Sequence, residues 1–337
     1  MTYKETFYKG FDAANKNILL VPVKMAATYA LFIGFVIVLI IPIVVAALAF
    51  GTGMLASLKD LNINNVGELL SSKYLVLAVV IAAIVLVYIT AASFVALYVY
   101  GGSCGMIAGG IRDEGFRFQM SGFFSEGKRF FGPVLGFTTI VGAAVIAILL
   151  LLAASVFPLK SIIHVLEGMN ESLSTFMATL SVMVAAVTFL FLFAGTFAIT
   201  IYGTAALVFK RVTAGQAANE AVRFIFKRPS AFGFYMLCVV IYFSANVMIA
   251  GSVFGVALIP VIGTVMVFPY HLLVQAVQYY MGILFVAVLF SYYFGVEGQG
   301  SAPPISEMST VAIDTSLVVP EPETSPAQQV DPDEGVY

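Results

Sequence analysis

The chain alternates between long apolar runs and short polar segments. Uncharged runs of about 20 residues or more, enough to cross the hydrocarbon core of a bilayer, fall at about 25–50, 74–100, 133–157 and within 175–209. From Ser230 to Val296 no Asp, Glu, Lys or Arg occurs. Gly251, Gly255, Pro260, Gly263 and Pro269 interrupt the middle of that stretch. It therefore reads as two spans, about 231–250 and 272–294, whose connection dips part-way into the membrane against protein or water. The alternative is a third span there, making seven. The pattern predicts an all-α polytopic bundle of six transmembrane helices. Pro42 should kink the first span. Residues 51–73 and 158–174 read as polar loops on the far side.

The segments between spans share a grammar. Thr213 and Gln216 fit a capping box. Ala214, Ala217, Ala218, Ala221 and Ile225 then recur at helical spacing, with Glu220, Arg223 and Lys227 off that stripe. Pro229 suits the first turn of a new helix. At the N-terminus Thr2 and Glu5 repeat the box. There Phe7, Phe11, Ala14 and Ile18 form the stripe, and Pro22 opens the apolar run. The middle copy, 115–133, has Phe123, Phe124, Phe130 and Phe131 beside Arg117, Lys128 and Arg129. Tyr100-Gly101 precedes the middle copy and Tyr202-Gly203 the last. Three parallel units follow, about 2–110, 111–212 and 213–296. Each is an interfacial amphipathic helix plus a hairpin of spans. Gly101, Gly105 and Gly109 make overlapping small-xxx-small steps for close helix packing.

Composition agrees with a membrane domain. Of 337 residues 61% are hydrophobic and 10% charged, and mean hydropathy is +1.02; soluble domains hold about 25% charged residues. The first apolar run is too long for a cleavable leader and is expected to remain as span one. Thirteen of the 16 Lys and Arg fall on the side of the three amphipathic segments. By the positive-inside rule that side, with the N-terminus, is cytoplasmic. Six spans put the C-terminus there too. Cys104 and Cys238 then read as reduced packing residues. Residues 1–296 carry a net charge of +6 and residues 297–337 carry −8. That tail, with six prolines and eight acids, cannot bury enough apolar surface to fold alone.

No reaction chemistry emerges. Gly122 to Lys128 approaches a phosphate-binding loop, but Arg129 stands where Ser or Thr would hold magnesium. His164, Glu167 and Glu171 could share a helix face, yet read as exposed loop residues rather than metal ligands. The spans hold no Asp, Glu, Lys or Arg in their cores, the usual mark of proton-coupled transport. Asn246, Gln275 and Gln278 are the candidate intramembrane polar site, and interhelical hydrogen bonding is their simpler role. No catalytic, cofactor or metal site is assigned, and no nucleic acid partner is expected. Lys128, Arg129, Arg223, Lys227 and Arg228 are the candidate contacts for anionic lipid headgroups.

Three stretches carry a resemblance: the opening FYKGFDAANKNILLVPV, the central GFFSEGKRFFGPVLGF and AGQAANEAVRFIFKRPSAFGF. The chain resembles a group of prokaryotic six-span membrane proteins of unknown function. It is also similar to the membrane domain fused to some glycerophosphodiester phosphodiesterases. The resemblance covers most of residues 1–296 and implies a six-span fold in the cytoplasmic membrane. It brings no catalytic residues to carry over. The expectation is a non-enzymatic membrane scaffold or adaptor that senses or organises anionic lipid. Its acidic tail, 297–337, would dock a soluble or membrane partner. A carrier of lipid or a small apolar solute is the alternative.

Overall fold

Threonine caps two amphipathic helices among the described residues. In the computed structural model, which describes residues 2–50, 75–167, 171–257 and 262–297, the Thr2 N–H donates to Glu5 Oε2 at 2.9 Å. The Glu5 N–H returns a bond to Thr2 Oγ1 at 3.4 Å. This reciprocal cap satisfies two donors that a helix start leaves open. Helix α1 (Tyr3–Lys16) follows. Further on, the Thr213 N–H donates to Gln216 Oε1 at 3.1 Å and opens the second amphipathic helix, Ala214–Lys227.

The chain order is α1, α2 (Leu20–Phe35), α3 (Ile41–Phe50), α4 (Leu75–Arg112), α5 (Met120–Glu167), α6 (Glu171–Lys210), α7 (Ala214–Lys227), α8 (Pro229–Ala257) and α9 (Ile262–Glu297). Six spans among the described residues are long and apolar enough to cross a membrane: Leu20–Val45, Val79–Arg112, Met120–Ala154, Ser172–Lys210, Pro229–Val253 and Phe268–Glu297. The molecule is an all-α, polytopic helix bundle. A π-helical turn, Val36–Ile40, joins α2 to α3, two residues before Pro42. Proline has no N–H for an i−4 carbonyl, and the wider turn absorbs the break. All described helices belong to one compact unit, Met1–Gly300. The predicted loop 51–73, Pro260 and the residues beyond Glu297 lie outside the described set. So do the side chains of Lys160, His164, Glu167 and Glu171.

Two expectations change. The middle amphipathic segment is not a separate interfacial helix. After a turn at 113–119 it forms the first turns of α5, which continues through Pro133 to Glu167. Close packing on α4 explains this. A Cβ on Gly102 would lie 2.9 Å from the Phe123 ring, and one on Gly105 2.8 Å from Glu126 Cβ. Gly101 meets Phe130 at 3.4 Å and Gly109 meets the Phe116 ring at 2.6 Å. Glycine lets the helices approach this closely, and the long contact holds 120–132 in line with the span. The expected loop 158–174 is likewise shortened by helix from both sides, α5 to Glu167 and α6 from Glu171.

The buried core sits at one end of the bundle. It comprises the last turns of α4, α6 and α9, the first turns of α2, α5 and α8, and both amphipathic helices. Its largest buried side chains include Tyr202, Tyr293, Phe123, Phe137 and Phe290. Towards the other end the large apolar residues Leu86, Leu150, Leu151, Leu190 and Met248 are exposed. Helix α1 turns Thr6, Gly10, Ala13 and Ala14 into the core. Its larger apolar residues are more exposed: Phe11 lies outward, and Phe7 meets the Phe234 ring edge-on with centroids 5.6 Å apart. Tyr3 stacks on Phe234 with centroids 5.2 Å apart.

Candidate functional site

A polar cavity lies in the packed end, where α6 stops, α7 crosses, α8 starts and α9 ends. It measures about 250 Å³ and is lined by Lys210, Glu220, Arg223, Phe224, Lys227, Arg228 and Glu297. Four bases face two acids. Its floor is aromatic: Phe224 packs edge-on to Tyr202 and to Tyr293, each with centroids 5.0 Å apart. The Tyr202 hydroxyl is anchored by donating to the Ala231 carbonyl at 2.9 Å. An apolar floor keeps water out from beneath, which strengthens charge interactions above it.

Lys210 is the hub. Its ammonium donates to Glu297 Oε2 at 3.1 Å and to Glu220 Oε2 at 3.3 Å. It also stands 5.9 Å above the centre of the Tyr293 ring. Arg228 Nη2 lies 3.7 Å from the other oxygen of Glu297. One carboxylate at the end of α9 thus bridges the end of α6 and the start of α8. Arg223 and Lys227 sit one turn apart on α7 and are exposed. Neither makes an ion pair among the described residues.

Backbone strain separates the next cation from this group. Arg211 has φ 54°, the left-handed region that costs a residue with a Cβ roughly 1–2 kcal/mol. The reversal turns consecutive cations into different surroundings, Lys210 into the cavity and Arg211 towards Glu126 and Arg129 on α5. Burial, and then the Arg129 guanidinium, pull Arg211 below its ordinary range, while Glu126 pushes it back up. Arg112 ties α4 to the same place. Its guanidinium donates to the carbonyls of Phe209 at 2.7 Å and Val208 at 3.2 Å. It also lies 5.2 Å over the Phe209 ring. A cation on the last carbonyls of a helix both satisfies them and meets the negative end of the dipole.

The five candidate headgroup residues therefore separate. Arg223, Lys227 and Arg228 share the cavity. Lys128 and Arg129 lie outside it on α5, where Arg129 pairs with Glu126 at 3.5 Å and covers Phe130. The intramembrane polar residues separate too. Gln275 accepts a hydrogen bond from the Tyr29 hydroxyl of α2, and Asn246 donates to the Tyr242 carbonyl of its own helix at 2.8 Å. A second α2–α9 bond runs beside the first, Tyr279 hydroxyl to Thr28 Oγ1 at 2.7 Å. Gly122 to Lys128 is helical, so its N–H groups form no open phosphate cradle. No group of His, Cys, Asp and Glu able to hold a metal occurs among the described residues. Cys104 and Cys238 are free and buried.

Sequence reading missed Lys210, Glu220 and Glu297 as one group. Lys210 and Glu297 are 87 positions apart, and by composition Glu297 belongs with the acidic tail, whereas it closes α9. The only local signal is that each of the two ends an apolar run with a charge. No family model, no curated protein and no solved structure matches the chain.

Proposed function

We propose that this multi-pass protein is a non-enzymatic scaffold or adaptor of the prokaryotic cytoplasmic membrane. It holds anionic lipid at its basic end and docks a partner through residues 297–337. The observation that carries the reading is the interfacial cavity in which Lys210, Arg223, Lys227 and Arg228 outnumber Glu220 and Glu297. Basic pockets between transmembrane helices at the cytoplasmic level suit anionic headgroups. The excess of Lys and Arg on this side supports a cytoplasmic orientation. The acidic, proline-rich tail supports a docking role, because such a segment binds by ordering on a partner.

The test is purification in mild detergent of the full chain beside a version ending at Gly298, with retained lipids and proteins identified by mass spectrometry. Enrichment of anionic phospholipid over the bulk membrane, lost in Arg223→Ala/Lys227→Ala/Arg228→Ala, is expected. A stoichiometric protein lost with the tail is expected as well. Lipid matching the bulk membrane, together with an unchanged set of proteins, would sink the proposal.

The second reading, a carrier of lipid or a small apolar solute, draws on an apolar cavity of about 340 Å³ between α5 and α6. Ile148, Leu152, Phe189 and Phe193 are among its lining residues. Movement of fluorescent lipid between leaflets of vesicles containing the purified protein decides it.

A further inference from the structure

The cavity's charges fall into two pairs. Lys210 and Arg228 are engaged by Glu297, and Glu220 adds a second carboxylate to Lys210. Those two acids balance those two bases. Arg223 and Lys227 remain, spaced i, i+4 on the exposed side of α7. Two positive charges at the mouth are thus left without an internal counter-ion among the described residues. The pair is chemically suited to phosphate, with a planar fork from Arg223 and a mobile point charge from Lys227.

We infer that the cavity selects a phosphomonoester headgroup, which carries two charges, over a phosphodiester headgroup, which carries one. The ligand oxygens bridge Arg223 and Lys227 while Glu297 keeps Lys210 and Arg228 occupied. A phosphomonoester near pH 7 bears about −1.5 to −2, with a second pKa of about 6. It neutralises the α7 pair, whereas a phosphodiester leaves one charge unmet over the aromatic floor. The inference rests on the lipid-binding reading above and names its ligand. Glu297 acts as the selectivity element: together with Glu220 it neutralises Lys210 and Arg228 and keeps the free charge at two.

The full-length protein would be reconstituted into neutral phosphatidylcholine vesicles carrying phosphatidic acid and phosphatidylglycerol at equal mole fraction, then extracted in mild detergent and its retained lipids quantified by mass spectrometry. Each added basic contact at an anionic surface contributes about fivefold, so roughly a fivefold preference for phosphatidic acid is expected at pH 7.5. It should shrink towards parity at pH 5.5 as the phosphomonoester loses its second charge. Arg223→Ala/Lys227→Ala, two exposed positions, should abolish the preference without lowering thermal stability. Glu297→Gln frees Arg228 while Glu220 still holds Lys210, so the free charge rises to three, which should tighten both lipids while narrowing the gap between them.

Equal, cavity-dependent binding of the two lipids at pH 7.5 would overturn the phosphomonoester inference and leave lipid binding standing. Binding of neither lipid would overturn both readings. A preference that survives the double Ala variant would place the selecting group elsewhere and defeat the inference. Competition by glycerol phosphate at concentrations that leave the vesicles intact would assign the site to a soluble phosphomonoester. No competition would assign it to the lipid.

Discussion

Gly10 on α1 is the tightest joint between a short helix and a span, and its replacement separates two opposing effects. A Cβ at Gly10 would lie 2.6 Å from Val288 Cα and 2.8 Å from Val288 N. Those atoms are α9 backbone and cannot rotate away, so α1 must retreat by about 1 Å to restore contact. Overpacking of this kind costs about 1–3 kcal/mol. Alanine also gains about 1 kcal/mol of helix propensity over glycine. Gly233 on α8 isolates that second effect, since a Cβ there meets nothing within 4 Å. The gap in stability between Gly10→Ala and Gly233→Ala is therefore the overpacking term alone. Thermal unfolding in detergent can be followed with a thiol-reactive maleimide fluorophore. Cys104 and Cys238 are free and only 1% and 5% exposed, so they label on unfolding. Gly233→Ala should melt at or above the parent. Gly10→Ala should melt below Gly233→Ala, by about 2–4 °C per kcal/mol. Equal melting temperatures for the two variants would refute the close α1–α9 contact.

Two further predictions follow from the cap of α1 and the contact between α2 and α9. Glu5 is held below the usual carboxylate range, chiefly by the hydrogen bond from the Thr2 backbone. Its contribution to the α1 cap is thus fully present above the unfolded value of about 4.3 and disappears as pH falls through the lower folded value. Amide resonances of the first turn of α1 should report this fraying on acidification; the same response in Glu5→Gln would refute it. The Tyr29–Gln275 bond should appear as a coupling of about 0.6 kcal/mol, and at most about 1.7, in a cycle of Tyr29→Phe and Gln275→Leu followed by melting. Additive losses would show that the α2–α9 contact is packing alone.

Much of this fold is legible in the sequence, for a simple reason. A stretch that crosses lipid must be apolar throughout and must satisfy its backbone internally, so length and hydropathy nearly determine a span. All six spans follow from that rule. Boundaries follow less well, because nothing local distinguishes an interfacial helix that stops from one that runs on. Residues 120–132 run on into α5 because Phe123 and Phe130 seat on Gly102 and Gly101 of α4, a fact of tertiary contact. The cavity is half legible. Arg223, Lys227 and Arg228 stand together in the sequence, while Lys210 and Glu297 meet only because α6 and α9 end at the same level.

The faces of α1 show why the remainder was hidden. In water the apolar side of an amphipathic helix is the buried side, and on that rule Phe7 and Phe11 should face the protein. They are 36% and 50% exposed, while Thr6, Ala13 and Ala14 are at most 1% exposed. Lipid is as apolar as any side chain, so burying phenylalanine against protein gains little transfer energy there, and close packing decides the face instead. Small residues win the inner side because they let backbones approach, as Gly10 does against Val288. Elsewhere glycine makes room for rings that are themselves buried. Gly101 and Gly203, each following a tyrosine, seat Phe130 and Phe137 of α5. Hydropathy therefore locates the membrane, and glycine and small polar residues locate the protein's own contacts. For this bundle the Tyr-Gly pairs and the Thr6–Gly10–Ala13–Ala14 face were the more informative signal of where the helices meet.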